Sequence, residues 1–261
     1  KKIKVLHLTN NDVLGGAARY VMRLHESMLE NGIESEILVL QKESDSRHVI
    51  EIARNRYLKK MSHFLDRIPT VFYKNKNKFS SGIYGSISNK QIENIDFDIL
   101  HIHWITDGAI SIKSIKLLSL QGKPIVWSIL DMWPFTGGCH YDNSCGSYVT
   151  SCGACPELSS SNNYDLSRIL LNLKKKYYSK IDFTVVAISN WLKGCIIKST
   201  LMKNKDIHVI HPCVNTNIFR PANNDYSREL FLLPKDKKLI LFGAVHSTSD
   251  PRKGYEYLLN A

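Results

Sequence analysis

Short apolar runs and stretches with helical spacing alternate along the chain. Residues 3–8 (IKVLHL) predict a buried strand, which ends at a polar stretch followed by Gly15-Gly16. Residues 17–32 follow with apolar positions at helical intervals, and residues 33–40 predict a second strand. Strand, glycine turn, helix and strand is the usual opening of a parallel doubly wound sheet.

The same alternation continues down the chain. It predicts strands over 97–105, 123–130, 182–189 and 207–212, and helices over 107–120, 166–180 and 190–201. We therefore expect an α/β fold with a Rossmann-like parallel sheet and helices on both faces, over a first domain of residues 1–216. Residues 217–236 predict a linker, and a further strand over 237–245 predicts that residues 237–261 are the incomplete start of a second domain.

Composition adds a charge argument to this pattern. The 261 residues are 43% hydrophobic and carry a net charge of +11, which suggests an anionic partner: nucleic acid, anionic lipid or a phosphorylated substrate. No apolar run is long enough to cross a bilayer. The N-terminus is too polar after Leu8 for a secretory signal, and cysteines outside one cluster are isolated, so we expect a cytoplasmic protein.

Two residue pairs fall where predicted strands end. Gly15 and Gly16 would let the backbone approach a ligand and leave helix-start N–H groups for an anion; a tight turn is the alternative. His101 and His103 flank Ile102, so they point to one face of their strand near its carboxyl end. Three interpretations fit this pair. The histidines are hydrogen-bonded residues at the sheet edge, they contact a polar substrate, or they bind a metal ion, for which no third ligand is evident.

A cysteine-rich loop spans residues 131–163. Its cysteines have the spacing C-x5-C-x6-C-x2-C and are Cys139, Cys145, Cys152 and Cys155. The C-x2-C half is common in zinc sites, because a short turn presents two thiolates to one tetrahedral ion. A structural zinc ion that closes the loop is the favoured interpretation, with His140 as a spare ligand. Two disulfides, or unpaired thiols packed in the loop, are the alternatives.

Residues 56–79 interleave basic side chains with aromatic and aliphatic ones on a predicted helix. The basic residues are Arg56, Lys59, Lys60, Arg67, Lys74, Lys76 and Lys78. Such a segment suits an anionic membrane surface, and a helix docked on the domain with a solvated basic face is the equal alternative. RNA, which aromatic and arginine side chains bind by stacking, ranks well below both, so we expect no nucleic-acid partner.

Arg252 and Lys253 follow the predicted strand over 237–245. Two cations between a strand and a helix suit a diphosphate, because arginine offers a planar fork and lysine a point charge. A basic helix start is electrostatically unfavourable unless an anion binds there. The pair is therefore a candidate phosphate site.

Taken in order, these segments resemble the retaining sugar-nucleotide glycosyltransferases of family four, in particular the subgroup that makes bacterial capsular polysaccharides and exopolysaccharides, including colanic acid. The loop with its tryptophan, acid and cysteines is the most specific match. The matching stretches are VLHLTNNDVLGGAARYVMRLHESMLENG, DILHIHWI, PIVWSILDMWPFTGGCHY with the later cysteines, VVAISNWL, VNTNIFRP, and LILFGA with DPRKGYEYLLNA.

The resemblance implies a GT-B fold, of which the first domain would be the acceptor-side half. It also implies transfer of a sugar from a nucleotide-sugar donor to a lipid-linked or saccharide acceptor, with retained configuration, at the inner face of the plasma membrane. Catalytic candidates are then Asp131, Lys253 and Arg252, where the two cations neutralise the leaving diphosphate. Substrate-binding candidates are Gly15, Gly16, His101, His103 and Trp133.

The chain departs from the family pattern in two ways. Leu130 stands where the family usually has a histidine before the acid, and leucine cannot make the hydrogen bonds of a histidine to the donor sugar. The family's paired glutamates would lie beyond Ala261, so we expect the 261-residue chain alone to lack transferase activity. The competing function class is a non-catalytic membrane- or RNA-binding module, or a degenerate transferase subunit.

Overall fold

The computed structural model describes residues 2–52, 56–74, 78–244 and 247–261. The chain divides into two compact units, Lys1–Cys213 and Val214–Ala261. The first unit contains one seven-stranded sheet in which every pair of neighbouring strands is parallel.

The strands of this sheet lie in the order β3-β2-β1-β4-β5-β6-β7. They are β1 (Lys4–Asn11), β2 (Glu34–Gln41), β3 (Val49–Glu51), β4 (Ile99–Ile102), β5 (Ile125–Ile129), β6 (Thr184–Ala187) and β7 (Ile207–Val209). The helices of the first unit are α1 (Gly15–Glu30), α2 (Arg56–Arg67), α3 (Asn89–Glu93), α4 (Ile112–Ser119), α5 (Leu166–Tyr178) and α6 (Asn190–Ile196).

Apolar side chains cover both faces of the sheet, as parallel strands require. Leu38 and Trp127 belong to a large cluster that also contains buried residues of α4 and α5. Ile37, which alternates with Leu38 along β2, packs in a separate cluster with Val21 of α1. The predicted Rossmann-like α/β fold, with helices on both faces of a parallel sheet, is confirmed.

Two elements of the first unit were not predicted. β3 is three residues long and α3 is five, and neither length is enough to display a period in the sequence. β4 is also shorter than the predicted strand 97–105, because the chain leaves the sheet after Ile102.

The second unit contains a helix within the predicted linker and corrects one predicted strand. The predicted linker, 217–236, contains the helix α7 (Asn224–Leu230), whose N-cap Asn223 accepts a hydrogen bond from the Tyr226 N–H at 2.9 Å. The predicted strand over 237–245 is wrong for residues 237–244, which form no strand, since no β-pairing occurs among the described residues of this unit; residue 245 lies outside them. The unit also contains α8 (Tyr255–Leu259).

Candidate functional site

The carboxyl ends of β1, β4 and β5 meet at one edge of the sheet, because β1 pairs with β4 and β4 pairs with β5. The backbone N–H of Asn10 donates to the Trp104 carbonyl at 2.8 Å, and its side-chain amide donates to the Thr106 carbonyl at 2.7 Å. These bonds fix the chain that leaves β4. Open α/β sheets bind ligands at this edge, so it is the candidate site.

Asp131 follows β5 and is held by three partners. Trp104 Nε1 donates to its Oδ2 at 2.8 Å, the backbone N–H of Trp133 donates to Oδ1 at 3.0 Å, and His140 Nδ1 lies 2.6 Å from Oδ2. Burial acts to raise the pKa of Asp131, but His140 and the two N–H donors outweigh burial, so the pKa falls below its ordinary value. This predicted catalytic acid is therefore an anchored carboxylate.

His140 connects Asp131 to a second acid. The Nε2 atom of His140 lies 2.9 Å from Ser80 Oγ, and the Ser80 hydroxyl donates to Asp107 Oδ1 at 3.3 Å. Lys78 Nζ lies 3.7 Å from Asp107 Oδ2. The five side chains form one chain of polar contacts, here called the Asp131 network.

The Asp131 network runs from the interior to solvent. Ser80 is 3% exposed and His140 is 1% exposed. The row of acid, imidazole and hydroxyl groups that Asp131, His140 and Ser80 form is therefore not accessible to a substrate. At the other end, the Asp107 side chain is 29% exposed and that of Lys78 is 54% exposed. Asp107 also has a φ of 58°, a left-handed conformation that costs a non-glycine residue energy and that concentrates at functional sites.

Gly15 and Gly16 open α1 at the same edge of the sheet. Both are exposed, Gly15 has a φ of +84°, and a Cβ built on either would meet nothing within 4 Å. The N-cap Leu14 supplies no side-chain hydrogen bond, and no acid lies in the first turn. The helix start thus leaves backbone N–H groups without a side-chain cap, and anion binding there stays a prediction.

Leu130, the departure from the family pattern, is half-buried. It packs against the apolar cluster that includes Tyr20 and Val21 of α1. Its side chain therefore completes the packing between α1 and the end of β5.

His7 joins the predicted pair His101 and His103. His7 is the register partner of His101, and its Nδ1 lies 2.8 Å from His103 Nε2. These three are the one group of potential metal-ligand side chains in the described part of the chain whose ligand atoms all lie within 4.8 Å of one another. His7 is not evident as a third ligand from the sequence, because it lies far from His101 and His103 along the chain.

This histidine cluster is closed to solvent and uncharged at neutral pH. Burial lowers the pKa of His101 to about 4, and burial together with the neighbouring histidines lowers the pKa values of His7 and His103. His101 Nε2 lies 2.8 Å from Ser128 Oγ, whereas His7 Nε2 and His103 Nδ1 have no hydrogen-bond partner. The exposure of His101 is 7% and that of His103 is 2%, which leaves little surface for a substrate.

The four loop cysteines line one small cavity of about 10 Å³. All are free thiols; Cys139, Cys152 and Cys155 are buried, and Cys145 is exposed. Burial raises the pKa of Cys139 above its usual range and that of Cys152 to about 11. No three of the sulfur atoms fall within 4.8 Å of one another, so a shared metal ion would require the side chains to rotate inward.

Trp133, a predicted substrate contact, is a core residue. It is 1% exposed, and its Nε1 donates to the Ser80 carbonyl at 2.8 Å. The Lys174 ammonium lies 3.8 Å from the ring centre, donates to the Trp133 carbonyl, and donates to the Thr136 carbonyl at 3.1 Å. The ring is therefore enclosed by the core with little surface free for a sugar, and a role of Trp133 in substrate binding stays a prediction.

Arg252 and Lys253 occupy a 3₁₀ turn (Pro251–Lys253) that precedes α8 in the second unit. The Arg252 guanidinium donates to both carboxylate oxygens of Asp250, at 2.9 and 2.7 Å. This hydrogen bonding lowers the pKa of Asp250 to about 2. Arg252, one of the two residues of the predicted phosphate site, is thus already paired with the carboxylate of Asp250.

The polarity of α2 is inverted relative to an ordinary surface helix. Among the side chains of α2 that the structure describes, the buried ones are the polar Ser62 and Asp66, and the Ser81 hydroxyl donates to Asp66 Oδ1 at 2.7 Å. Large apolar side chains of α2 and of the turn after it are exposed instead: Tyr57, Met61, Phe64, Ile68, Val71 and Phe72. Nothing is described for residues 75–77 or for the side chains of Arg56, Leu58 and Lys59, so the predictions for Lys76, Arg56 and Lys59 lie outside the described residues.

A separate cavity of about 460 Å³ lies at the opposite edge of the sheet, where the strands begin, and Lys4, Glu34 and Asp96 are among its lining residues. Ligands of open α/β sheets bind at the carboxyl edge. We therefore assign no function to this cavity.

Three comparisons place the chain among known proteins. The sequence model of Glycosyltransferase Family 4 matches residues 14–218. WcaC of Escherichia coli (strain K12), provisionally named a colanic acid biosynthesis glycosyl transferase, is 22% identical over 156 residues, which are 58% of this chain and 38% of WcaC. The crystal structure of a glycosyltransferase from Rickettsia africae ESF-5 matches with 16% identity and a TM-score of 0.42, over 90% of this chain and 51% of that one. The chain therefore spans about half or less of each relative.

Proposed function

Because the chain belongs to Glycosyltransferase Family 4, we propose that it forms the acceptor-side part of an enzyme that transfers a sugar from a nucleotide-sugar donor to a lipid-linked or saccharide acceptor, with retained configuration. The family match over residues 14–218 is the observation that carries the proposal. The name of WcaC supports a role in bacterial surface polysaccharide biosynthesis.

The geometry suggests a role for each group of residues. The solvent end of the Asp131 network, Asp107 and Lys78, is suited to contact acceptor hydroxyls, while Asp131 holds the loop behind it. Departure of a nucleoside diphosphate builds negative charge, which prearranged cations stabilise. We rank Lys253 above Arg252 for that role, because the Arg252 guanidinium already donates to Asp250.

Calorimetry with uridine and guanosine diphosphate sugars tests this proposal. We expect no sugar transfer or donor hydrolysis by the 261-residue chain, and saturable donor binding by the longest chain that its reading frame encodes. Transfer by the 261-residue chain would overturn the first expectation. Failure of the longer chain to bind any nucleotide sugar, with salt-sensitive RNA binding instead, would favour the non-catalytic alternative.

Gly16→Ala tests the glycine turn without disturbing the fold. The added Cβ meets nothing within 4 Å, and alanine favours a helix over glycine by about 1 kcal/mol, so we expect unchanged or slightly raised stability. If a substrate approaches this backbone, binding of nucleotide sugar or acceptor should weaken at least several-fold. Unchanged binding together with unchanged stability would leave Gly15-Gly16 as a tight turn only.

We also propose that α2 and the turn after it lie on an anionic membrane surface. Exposed apolar side chains recur along the helix at Tyr57, Met61 and Phe64, and exposed Lys60 and Arg67 flank them. Aromatic and aliphatic groups inserted among lipid headgroups, beside cations that face anionic lipid, are typical of interfacial helices. No helix in the described part of the chain is long and apolar enough to span a bilayer.

Vesicle co-sedimentation tests the membrane surface. We expect binding to vesicles that contain phosphatidylglycerol, little binding to pure phosphatidylcholine, and weaker binding in high salt. The double substitution Phe64→Ser and Phe72→Ser should abolish binding, whereas the matched control Tyr164→Ser, at a side chain that is 78% exposed elsewhere, should not. Equal loss in both variants, or binding that ignores lipid charge, would contradict the proposal.

Finally, we propose that the four loop cysteines bind a structural zinc ion that takes no part in sugar transfer. Raised thiol pKa values at Cys139 and Cys152 are unsuited to nucleophilic catalysis, which requires the thiolate. A cytoplasmic location at the inner membrane face is part of the same proposal, because free thiols persist in reducing compartments.

A further inference from the structure

We infer that Trp104, Asp107 and Lys78 form a subsite for a neutral pyranose of the acceptor, with the sugar ring stacked on the indole of Trp104. These three side chains are called the Trp104 subsite here. The inference rests on the proposed function and deepens it, because it names an aromatic platform and a class of sugar for the acceptor.

The indole of Trp104 is held in place at the carboxyl edge of the sheet. Its Nε1 donates to Asp131 Oδ2 at 2.8 Å. Its backbone carbonyl accepts hydrogen bonds from the Asn10 N–H at 2.8 Å and from the Thr9 hydroxyl at 3.2 Å. A ring that is already fixed loses little conformational freedom when a ligand binds, so it is suited to be a platform.

The exposure of Trp104 differs from that of the other three tryptophans. Trp127 and Trp133 are at most 1% exposed, and Trp191, on α6, is 64% exposed. Trp104 is half-buried, and the Lys78 ammonium lies over one face of its ring, 4.2 Å from the ring centroid. Because the Lys78 side chain is flexible and 54% exposed, it can move aside and leave this face to a ligand.

A pyranose has two kinds of surface, and the Trp104 subsite offers a partner for each. The C–H groups of the sugar carry partial positive charge and pack against the negative face of an indole. The hydroxyl groups donate to a carboxylate and accept from an ammonium group. Asp107 Oδ2 lies 3.7 Å from Lys78 Nζ, and the Trp104 ring centroid lies 4.2 Å from the same atom. One sugar can therefore stack on the ring and bond to both charged groups.

The charges of the subsite favour a neutral sugar. Lys78 and Asp107 form an ion pair, so the three side chains together carry no net charge. The carboxylate of Asp131 lies behind the ring, where it accepts from the Trp104 indole. A uronic acid would bring a third carboxylate to this place without a spare cation among the three side chains, and like charges repel.

Tryptophan fluorescence of the 261-residue chain tests the subsite. Trp191→Phe serves as the parent, because it removes the exposed fluorophore and leaves Trp104 with two core tryptophans. Methyl glycosides of neutral hexoses and deoxyhexoses should change the emission saturably at millimolar concentrations, and methyl glucuronide should bind more weakly. No saturable change with any neutral glycoside, or tighter binding of the glucuronide, would overturn the inference.

Asp107→Asn and Lys78→Met test the polar pair. Both side chains are partly exposed, and asparagine tolerates the left-handed backbone of Asp107, so we expect folded protein. Each substitution should weaken glycoside binding about 10-fold, as the loss of a hydrogen bond to a charged group does. The matched control is Lys235→Met, which breaks an exposed ion pair of the same 3.7 Å length, with Glu229 in the second unit. Unchanged binding in both subsite variants, or equal weakening in the control, would contradict the inference.

Trp104→Phe tests the platform itself, with saturation-transfer NMR of the glycoside protons as the measurement. Phenylalanine keeps a smaller aromatic face and loses the N–H that donates to Asp131, so circular dichroism checks the fold. We expect transfer mainly to the C–H groups of the sugar in the parent, and several-fold weaker binding in the variant. Folded Trp104→Phe with the affinity of the parent would show that the ring is not the platform.

Nucleotide sugars distinguish the acceptor from the donor as the source of the sugar. In the longest chain that the reading frame encodes, glycoside binding should persist when uridine or guanosine diphosphate sugar is bound; displacement would assign the subsite to the donor and overturn the inference. Glycoside binding without any nucleotide-sugar binding would sink the transferase proposal and leave the subsite. Nucleotide-sugar binding without any glycoside binding would sink the subsite alone.

Discussion

Two groups of buried imidazoles lie close to the carboxyl edge of the sheet, and they differ in what surrounds them. His140 lies between a carboxylate and a hydroxyl, at 2.6 Å from Asp131 and 2.9 Å from Ser80. His7, His101 and His103 face mainly one another, and two of their nitrogen atoms have no hydrogen-bond partner.

The difference shows that the partner, more than the depth of burial, determines what a histidine does in this fold. Beside Asp131, an imidazole helps to lower the pKa of the acid and ties residues on three loops together. Within the histidine cluster, imidazoles lower one another's pKa values, so the cluster is neutral at physiological pH. The first group positions a charge at the candidate site, and the second is a polar part of the core.

The largest expected effect comes from breaking the first group. Asp131→Ala leaves His140 Nδ1 and the N–H groups of Trp104 and Trp133 without an acceptor, so we expect a loss of about 3–5 kcal/mol in the free energy of unfolding. Asp131→Asn keeps one acceptor oxygen and should lose less. Urea denaturation measures both, and equal, small losses would mean that the network does not stabilise the loop.

The second effect separates the two groups by pH. An unfolded histidine titrates near pH 6.5, whereas the pKa of folded His101 is about 4, so the unfolded state binds more protons between these values. Stability should therefore fall as the pH drops from about 6.5 to 4, by on the order of 3 kcal/mol for His101. The stabilisation of the folded state by the ionised Asp131 should be lost only below pH about 3.9, the pKa of an aspartate in the unfolded chain.

Urea denaturation at a series of pH values measures this separation. His101→Gln should reduce the slope between pH 6.5 and 4 without abolishing it, because the pKa values of His7, His103 and His25 are also lowered. Asp131→Asn should change the dependence only at lower pH. A His101→Gln variant that keeps the full slope would show that His101 does not contribute to the pH dependence.

The smallest expected effect is at the solvent end of the Asp131 network. Lys78 and Asp107 form an ion pair of 3.7 Å, and the Lys78 side chain is 54% exposed, so Lys78→Met should change the free energy of unfolding by less than about 1 kcal/mol. In an active, longer chain the same variant should raise KM for the acceptor. A large stability loss without a change in KM would assign Lys78 to structure alone.

The alternation of strands and helices was predictable from the sequence, because the spacing of apolar residues is local. That spacing placed the main strands and put His101 and His103 on one face. It missed β3 and α3, which are too short to show a period, and it predicted a strand at 237–245 that finds no partner among the described residues of its unit. The candidate site was predictable only where a residue directly follows a strand, as Asp131 does.

The sequence by itself determined the order of the elements, and so the parallel sheet with its ligand-binding edge. Only the tertiary structure decided which polar groups meet: His140 contacts a serine 60 positions away, and Lys174 donates to a carbonyl 41 positions away. It also decided that α2 buries its polar face, which its amphipathic pattern left open. The reason is physical: periodicity reports which face of one element is apolar, whereas contacts between distant segments arise only when the whole core packs.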